Sequence, residues 1–332
     1  MSGSATTYLE TTQKAVGRCL VQRRGEEVMT AIGSKAPQRL ESQTDMPASQ
    51  GTDAVAFVDR WPVHLCNPAH AISEIISRAR SALGFTVFTL NLDHLVKLRE
   101  EQAFRQAYAG ASLVTADGAP IAALASMQGM KVERTTGSDI VVPLAKAACD
   151  AAVPVFLFGS SPDVLERAAR RLKRATNGRL KIVGQLAPAY GFDPCGEAAD
   201  AAIDEIQASG AKLCFVALGA PKQEVFAHHA VQRGAKLGFI CIGAGLDFLA
   251  GHQKRAPKIL QRSGLEWVWR LMHEPRRMAV RYMKCAIVLA DIVIGNGVRR
   301  LGRQQIRFDI PTSFRKRQAL AYSTSSEKFR NL

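Results

Sequence analysis

The chain has 332 residues, 47% of them hydrophobic, with 44 Lys and Arg against 29 Asp and Glu, a net charge of +15. That length and composition allow a packed core in one large or two ordinary domains. Seven cysteines without a CxxC pair do not look like a disulfide framework and fit a cytosolic protein, and the basic surplus favours an anionic partner: nucleic acid, a phosphorylated ligand or an anionic membrane.

In chain order, residues 1–55 read as a weakly ordered extension. They lack the continuous apolar stretch of a secretory signal. From residue 85 the pattern alternates. TVFTL (86–90) is a strand, and DHLVKLREEQAFRQAY (93–108) has the spacing of one helix. SLVTA (112–116) is a strand, with a helix from about Ala119. SDIVVPLAKAACDA (138–151) is a helix capped by Ser138 or Asp139. PVFLFG (154–159) is a strand, and SPDVLERAARRLKRA (161–175) a helix opened by Ser161-Pro162. LKIVG (180–184) is a strand and 196–210 a helix. KLCFVALG (212–219) and KLGFICIG (236–243) are continuous apolar strands around a helix at 221–234. Apolar strands alternating with helices imply a mainly parallel, Rossmann-like α/β sheet with helices on both faces.

Residues 254–284 change character. Nine basic residues face only Glu266 and Glu274, a net +7, and two of the three tryptophans, Trp267 and Trp269, lie there. We expect a core at 56–252, a basic helical appendage at 253–300 and a basic tail at 301–332. The apolar run at 285–295 is interrupted by Asp291 and would span about 16 Å as a helix, too short to cross a bilayer. Lying on a membrane remains open to it.

Ligands of open α/β sheets bind at the carboxyl ends of the strands. The residues there are Thr89-Leu90-Asn91, Asp117-Gly118, Gly159-Ser160-Ser161, Gly219 to Glu224, and Gly243-Ala244-Gly245. Such small, polar loops suit a phosphate resting on backbone N–H groups, although βα loops are commonly small and polar without a ligand. No GxGxxG follows a strand, and no GxxxxGK[ST], HExxH or DxD occurs, so arginines would have to neutralise a diphosphate. Asp117 reads in two ways: as turn chemistry or a helix cap, or as a general base at a strand end.

Seven blocks then stand in order: Thr89-Leu90-Asn91, TADG (115–118), ERTTGSD (133–139), GAPKQE (219–224), DFLAG (247–251), KRAP (254–257) and GLEWVWRLMHEPRR (264–277). Together they resemble the bacterial WecG/TagA/CpsF glycosyltransferases over roughly residues 55–290. Leu90 stands where that family often has Pro, and Leu246 where it often has Phe. The resemblance implies a GT-E-type fold and inverting, metal-independent transfer of a hexose or N-acetylhexosamine, with no cofactor. The donor would be a UDP-sugar. The acceptor would be a polyprenyl-diphosphate-linked saccharide at the cytoplasmic face of the cell membrane, in cell-surface or exopolysaccharide synthesis. Carried onto matching positions, Asp117 is the catalytic base. Thr89, Asn91, Arg134 and Gln223 contact the sugar nucleotide, and Arg270, Arg277 and Arg281 of the appendage lie over the diphosphate. Peripheral membrane docking and association of like subunits through the core are implied as well.

Two other classes compete. A nucleic-acid-binding protein would explain the charge, but no recognised module or aromatic stacking platform is evident, so no nucleic-acid partner is expected. A nicotinamide-dependent oxidoreductase would explain the α/β pattern but lacks the glycine fingerprint.

Overall fold

The computed structural model describes residues 55–81, 83–128, 130–253, 255–257, 259–260 and 266–301, without the side chains of Arg277 and 296–301. The expected extension, apart from residue 55, and the expected tail, apart from residue 301, lie outside the described residues.

A short antiparallel hairpin, β1 (Ala56–Val58) and β2 (Trp61–Val63), opens the described chain. The main sheet holds β3 (Phe85–Leu90), β4 (Leu113–Ala116), β5 (Val155–Gly159), β6 (Ile182–Leu186), β7 (Leu213–Ala217) and β8 (Gly238–Cys241). Its order is β4-β3-β8-β7-β5-β6, and every pair is parallel. The five strands other than β6 are buried along their whole length, which is why they read as unbroken apolar runs.

Side chains alternate between two helical layers. Val87, Leu157, Phe215 and Ile240 point to α1 (Pro68–Arg80), α5 (Gly137–Asp150), α6 (Pro162–Ala175) and α9 (Gly245–Ala250), where Ile75, Leu144, Leu165 and Leu246 complete one core. The opposite face is aromatic. Against it lie α2 (Leu92–Glu100), α3 (Gln102–Ala109), α7 (Glu197–Ala208) and α8 (Lys222–Gln232). There Phe88 meets Tyr108 at 5.1 Å between ring centroids, and Phe158 meets Phe226 at 4.5 Å. Burying each aromatic side chain contributes roughly 1.5–3 kcal/mol. The structure is thus the parallel α/β sheet, helices on both faces, that the alternating pattern implies.

Three local expectations are corrected. The helix expected over 93–108 is two helices, broken at Glu101, which takes an extended backbone (φ −112°, ψ 118°). The break lets Phe104 and Tyr108 both turn into the core, and the carbonyls it frees find a partner: Arg105 Nη1 donates to the Leu98 and Arg99 oxygens at 3.1 Å each. No Gly or Pro marks the place. The cap of α5 is Thr136, not Ser138 or Asp139; its Oγ1 accepts from the Asp139 amide at 3.0 Å. Gly137 follows because a Cβ there would meet the Ile242 backbone at 2.8 Å. The strand expected at 180–184 is shifted to Ile182–Leu186, because Leu180 is drawn into the core and a register shift between Val155 and Phe156 sets Gly184 against the Phe156 ring.

After Gly251 (φ 73°), which ends α9, the chain reaches α10 (Glu266–His273) and α11 (Pro275–Leu301). Trp267 packs on Tyr282 across these two helices, ring centroids 5.9 Å apart. α11 is pinned to α2 by Arg281 Nε to Asp93 Oδ1 at 3.0 Å and Lys284 Nζ to Glu100 Oε1 at 2.8 Å. The described residues up to 288 form one compact unit, and the end of α11 from 289 belongs to a second. Among the described residues no helix is long and apolar enough to cross a membrane.

Candidate active site

Asp117 is held by the last rung of the β3–β4 ladder. Leu90 pairs with Ala116, and one residue on, the Asp117 amide donates to the Leu90 carbonyl at 2.7 Å. Gly118 then turns the chain at φ 98° and ψ 146°, a region nearly restricted to glycine, and Pro120 lies in the first turn of α4 (Ala119–Ser126). The helix cap is Gly118, without a side-chain hydrogen bond, so capping does not explain the carboxylate.

The Asp117 side chain is half-buried. Desolvation pushes the Asp117 pKa up to about 7; Arg270 and Arg134 pull it down, and Glu266 and Asp139 push it further up. A carboxylate poised there exchanges protons at physiological pH.

Around it stands a cluster of three arginines and two further carboxylates. The segment carrying Arg134 lies along β4: the Thr135 amide donates to the Ala116 oxygen at 2.8 Å, and Thr115 Oγ1 to the Thr135 oxygen at 2.9 Å. Arg134 reaches Asp139 at 3.3 Å and Glu266 at 3.7 Å. Arg255 Nη1 reaches Asp139 Oδ1 at 2.6 Å, and its Nε lies 4.0 Å from Glu266 Oε1. Arg270 Nη2 donates to Glu266 Oε1 at 2.9 Å, one turn along α10. Arg255 and Arg270 also lie over the Phe248 ring, 6.0 and 5.7 Å from its centroid. Arg255 holds Asp139 below the usual carboxylate range against the desolvation that would raise it.

Beneath this cluster a buried polar chain ties three strand ends together. Asn91 caps α2, its Oδ1 accepting from the His94 amide at 3.0 Å. His94 Nδ1 pairs with the Tyr108 hydroxyl at 2.7 Å, and its Nε2 lies 4.0 Å from Glu224 Oε1. That oxygen also accepts from Gln223 Nε2 at 2.7 Å, and Gln223 Oε1 accepts from the Gly243 amide at 2.9 Å. Burial lowers the His94 pKa to about 3 and raises that of Glu224 to about 7. Both are therefore neutral in slightly acidic solution, as a buried site demands. Glu224 Oε2 has no hydrogen-bond partner among the described residues.

The structure therefore brings Asp117, Arg134 and Arg270 together, with Thr89 and Asn91 on the neighbouring strand end. Gln223 lies in the buried chain, 2% exposed, and acts on the β8 loop through Gly243. Arg281 is on α11, paired with Asp93. The side chain of Arg277 lies outside the described residues. Sequence reasoning missed Arg255, Asp139, Glu266, Phe248 and the His94–Tyr108–Glu224 group as site components. All but His94 and Tyr108 stand inside the seven ordered blocks, the one signal that could have found them.

The order of these blocks and the strand-end site agree with an independent comparison. The family model described as Glycosyl transferase WecG/TagA/CpsF family matches residues 57–302. Spanning the whole sheet, Asp117 and the arginine cluster, that match shows that the chain belongs to the WecG/TagA/CpsF family of glycosyltransferases.

Proposed function

We propose that this glycosyltransferase moves a hexose or N-acetylhexosamine from a UDP-sugar to a polyprenyl-diphosphate-linked saccharide, with inversion and without a metal. The observation that carries the reading is Asp117: a carboxyl at a strand's carboxyl end, with a pKa near 7, in electrostatic reach of Arg134 and Arg270. In this reading the acceptor hydroxyl gives its proton to Asp117 as its oxygen attacks the anomeric carbon. The bond from that carbon to the diphosphate breaks on the opposite face, and the electron pair leaves on UDP. The guanidiniums of Arg134 and Arg270 neutralise the growing charge, the role a metal ion fills elsewhere.

We further propose a core at 56–252 and an appendage at 253–300 that rests on the inner leaflet. Val280, Met283 and Ile287, spaced as one face of α11, are each more than 60% exposed, and Arg276 and Lys284 flank them. Exposed apolar residues beside cations suit an anionic interface.

The test is UDP release on membranes carrying the polyprenyl-diphospho-sugar, across a panel of UDP-sugars, with EDTA present. Release with one donor, abolished in Asp117→Asn, supports the reading and names the sugar. A folded protein that releases no UDP with any donor and binds no UDP overturns it.

A further inference from the structure

Three guanidiniums, those of Arg134, Arg255 and Arg270, converge on a single carboxylate, Glu266, at 3.7, 4.0 and 2.9 Å. Two of these contacts are too long for hydrogen bonds and act through charge alone. Arg255 has more to give: its Nε and Nη2 are enclosed yet donate no hydrogen bond among the described residues. A buried guanidinium with idle donors is costly unless an acceptor reaches them.

The two carboxylates of the cluster are not equivalent. Asp139 is fixed by a hydroxyl, that of Thr136 at 2.8 Å, as well as by Arg255 at 2.6 Å. Both carboxylates stand in the first turn of a helix, where negative charge is favoured, but among the described residues Glu266 is held by arginines alone, with one hydrogen bond, to Arg270 at 2.9 Å. Charge balance points the same way. With Asp139 and the ionised Asp117 kept, three guanidiniums leave one positive charge to meet a diphosphate. With Glu266 also in place they leave none, so an approaching diphosphate gains attraction only as Glu266 withdraws.

Resting on the reading of the site as a nucleotide-sugar site, we propose that the Glu266 carboxylate competes with the donor's diphosphate for Arg134, Arg255 and Arg270, and that Arg255 is itself a diphosphate-binding residue. Glu266 holds the guanidiniums converged and yields them to the diphosphate oxygens. On departure of the nucleotide product it takes them back, which speeds release.

Titration calorimetry of the full chain with UDP and with inorganic diphosphate tests this, on wild type, Glu266→Gln and Arg255→Gln, each with its melting curve. Glu266→Gln should bind both probes about three- to tenfold more tightly, with slower UDP dissociation. Arg255→Gln should bind both about tenfold more weakly. If Glu266→Gln melts early, Glu266→Asp replaces it, since drawing the charge back by one methylene should also tighten binding. A folded Glu266 variant that binds diphosphate no better than wild type overturns the inference; retained UDP binding would leave the glycosyltransferase reading standing. Tightening for inorganic diphosphate without UDP binding in any variant would support the exchange and remove the nucleotide reading.

Discussion

The amide of Asp117 donates to the carbonyl of Leu90 at 2.7 Å, one residue past the end of the β3–β4 pairing. The backbone of the candidate base is therefore as fixed as the sheet, while its side chain stands beyond the sheet's edge. Rigidity in the one and reach in the other are what a proton acceptor at a strand end requires.

Asp117→Asn should fold and lose turnover by about two to four orders of magnitude. In wild type, kcat/KM should rise with pH through about 7, as the carboxyl facing Arg270, Arg134, Glu266, Asp139 and Arg255 loses its proton. The raised folded pKa also means that the native state holds a proton the unfolded chain has released, so this group's contribution to stability falls between pH 4 and 7. Asp117→Asn should therefore melt higher than wild type at pH 8. An unchanged pH profile in a folded, active Asn variant would refute the assignment.

Glu224→Gln separates burial from charge. Wild-type stability should decline from the ordinary carboxylate range up to about pH 7, where Glu224 ionises in the core. His94 works oppositely: its lowered pKa makes stability rise as pH climbs from about 3 toward 6.5. Urea melts of wild type and Glu224→Gln at several pH values isolate the first slope, since only the difference between them belongs to Glu224. Glu224→Leu should cost about 1–3 kcal/mol at any of these pH values, because it strips Gln223 Nε2 of its buried acceptor.

Gly118→Ala meets no obstacle nearer than Pro120 Cδ at 3.8 Å, yet must hold φ near 98°. The strain should cost about 1–3 kcal/mol. Relief of it would move Asp117, so kcat should fall more than KM rises. A variant with wild-type kcat and stability would show that the turn tolerates a side chain.

Asp93→Asn removes the carboxylate that Arg281 and Lys97 share. Asp93 is partly buried and its pKa is lowered by both cations, against the desolvation that would raise it. The expected stability loss is about 1 kcal/mol. The appendage should also become more sensitive to limited proteolysis between α9 and α11, read by mass spectrometry of the fragments.

Replacing Val280, Met283 and Ile287 together by Ser should abolish sedimentation with vesicles containing anionic lipid while leaving the melting curve in place, because all three are exposed. Undiminished sedimentation would mean that α11 does not rest on the bilayer through this face.

The parallel sheet was legible because burial on both faces writes an unbroken apolar strand into the chain, as in LCFVA and GFIC. The placement of Asp117 was legible for the same reason: it is the first polar residue after LVTA. The break at Glu101 was not, since its cause is the reach of Arg105 back to two carbonyls and the pull of Phe104 and Tyr108 into the core. Nor could the chain alone say that Arg281 pairs with Asp93, or that Arg134 and Arg255 join Arg270 at Glu266. Periodicity and turn chemistry act over a few residues and show in the order of amino acids. Which charge meets which across more than a hundred residues, as Arg281 meets Asp93 and Arg134 meets Glu266, depends on where the sheet and the appendage carry them, and the tertiary structure alone decides that.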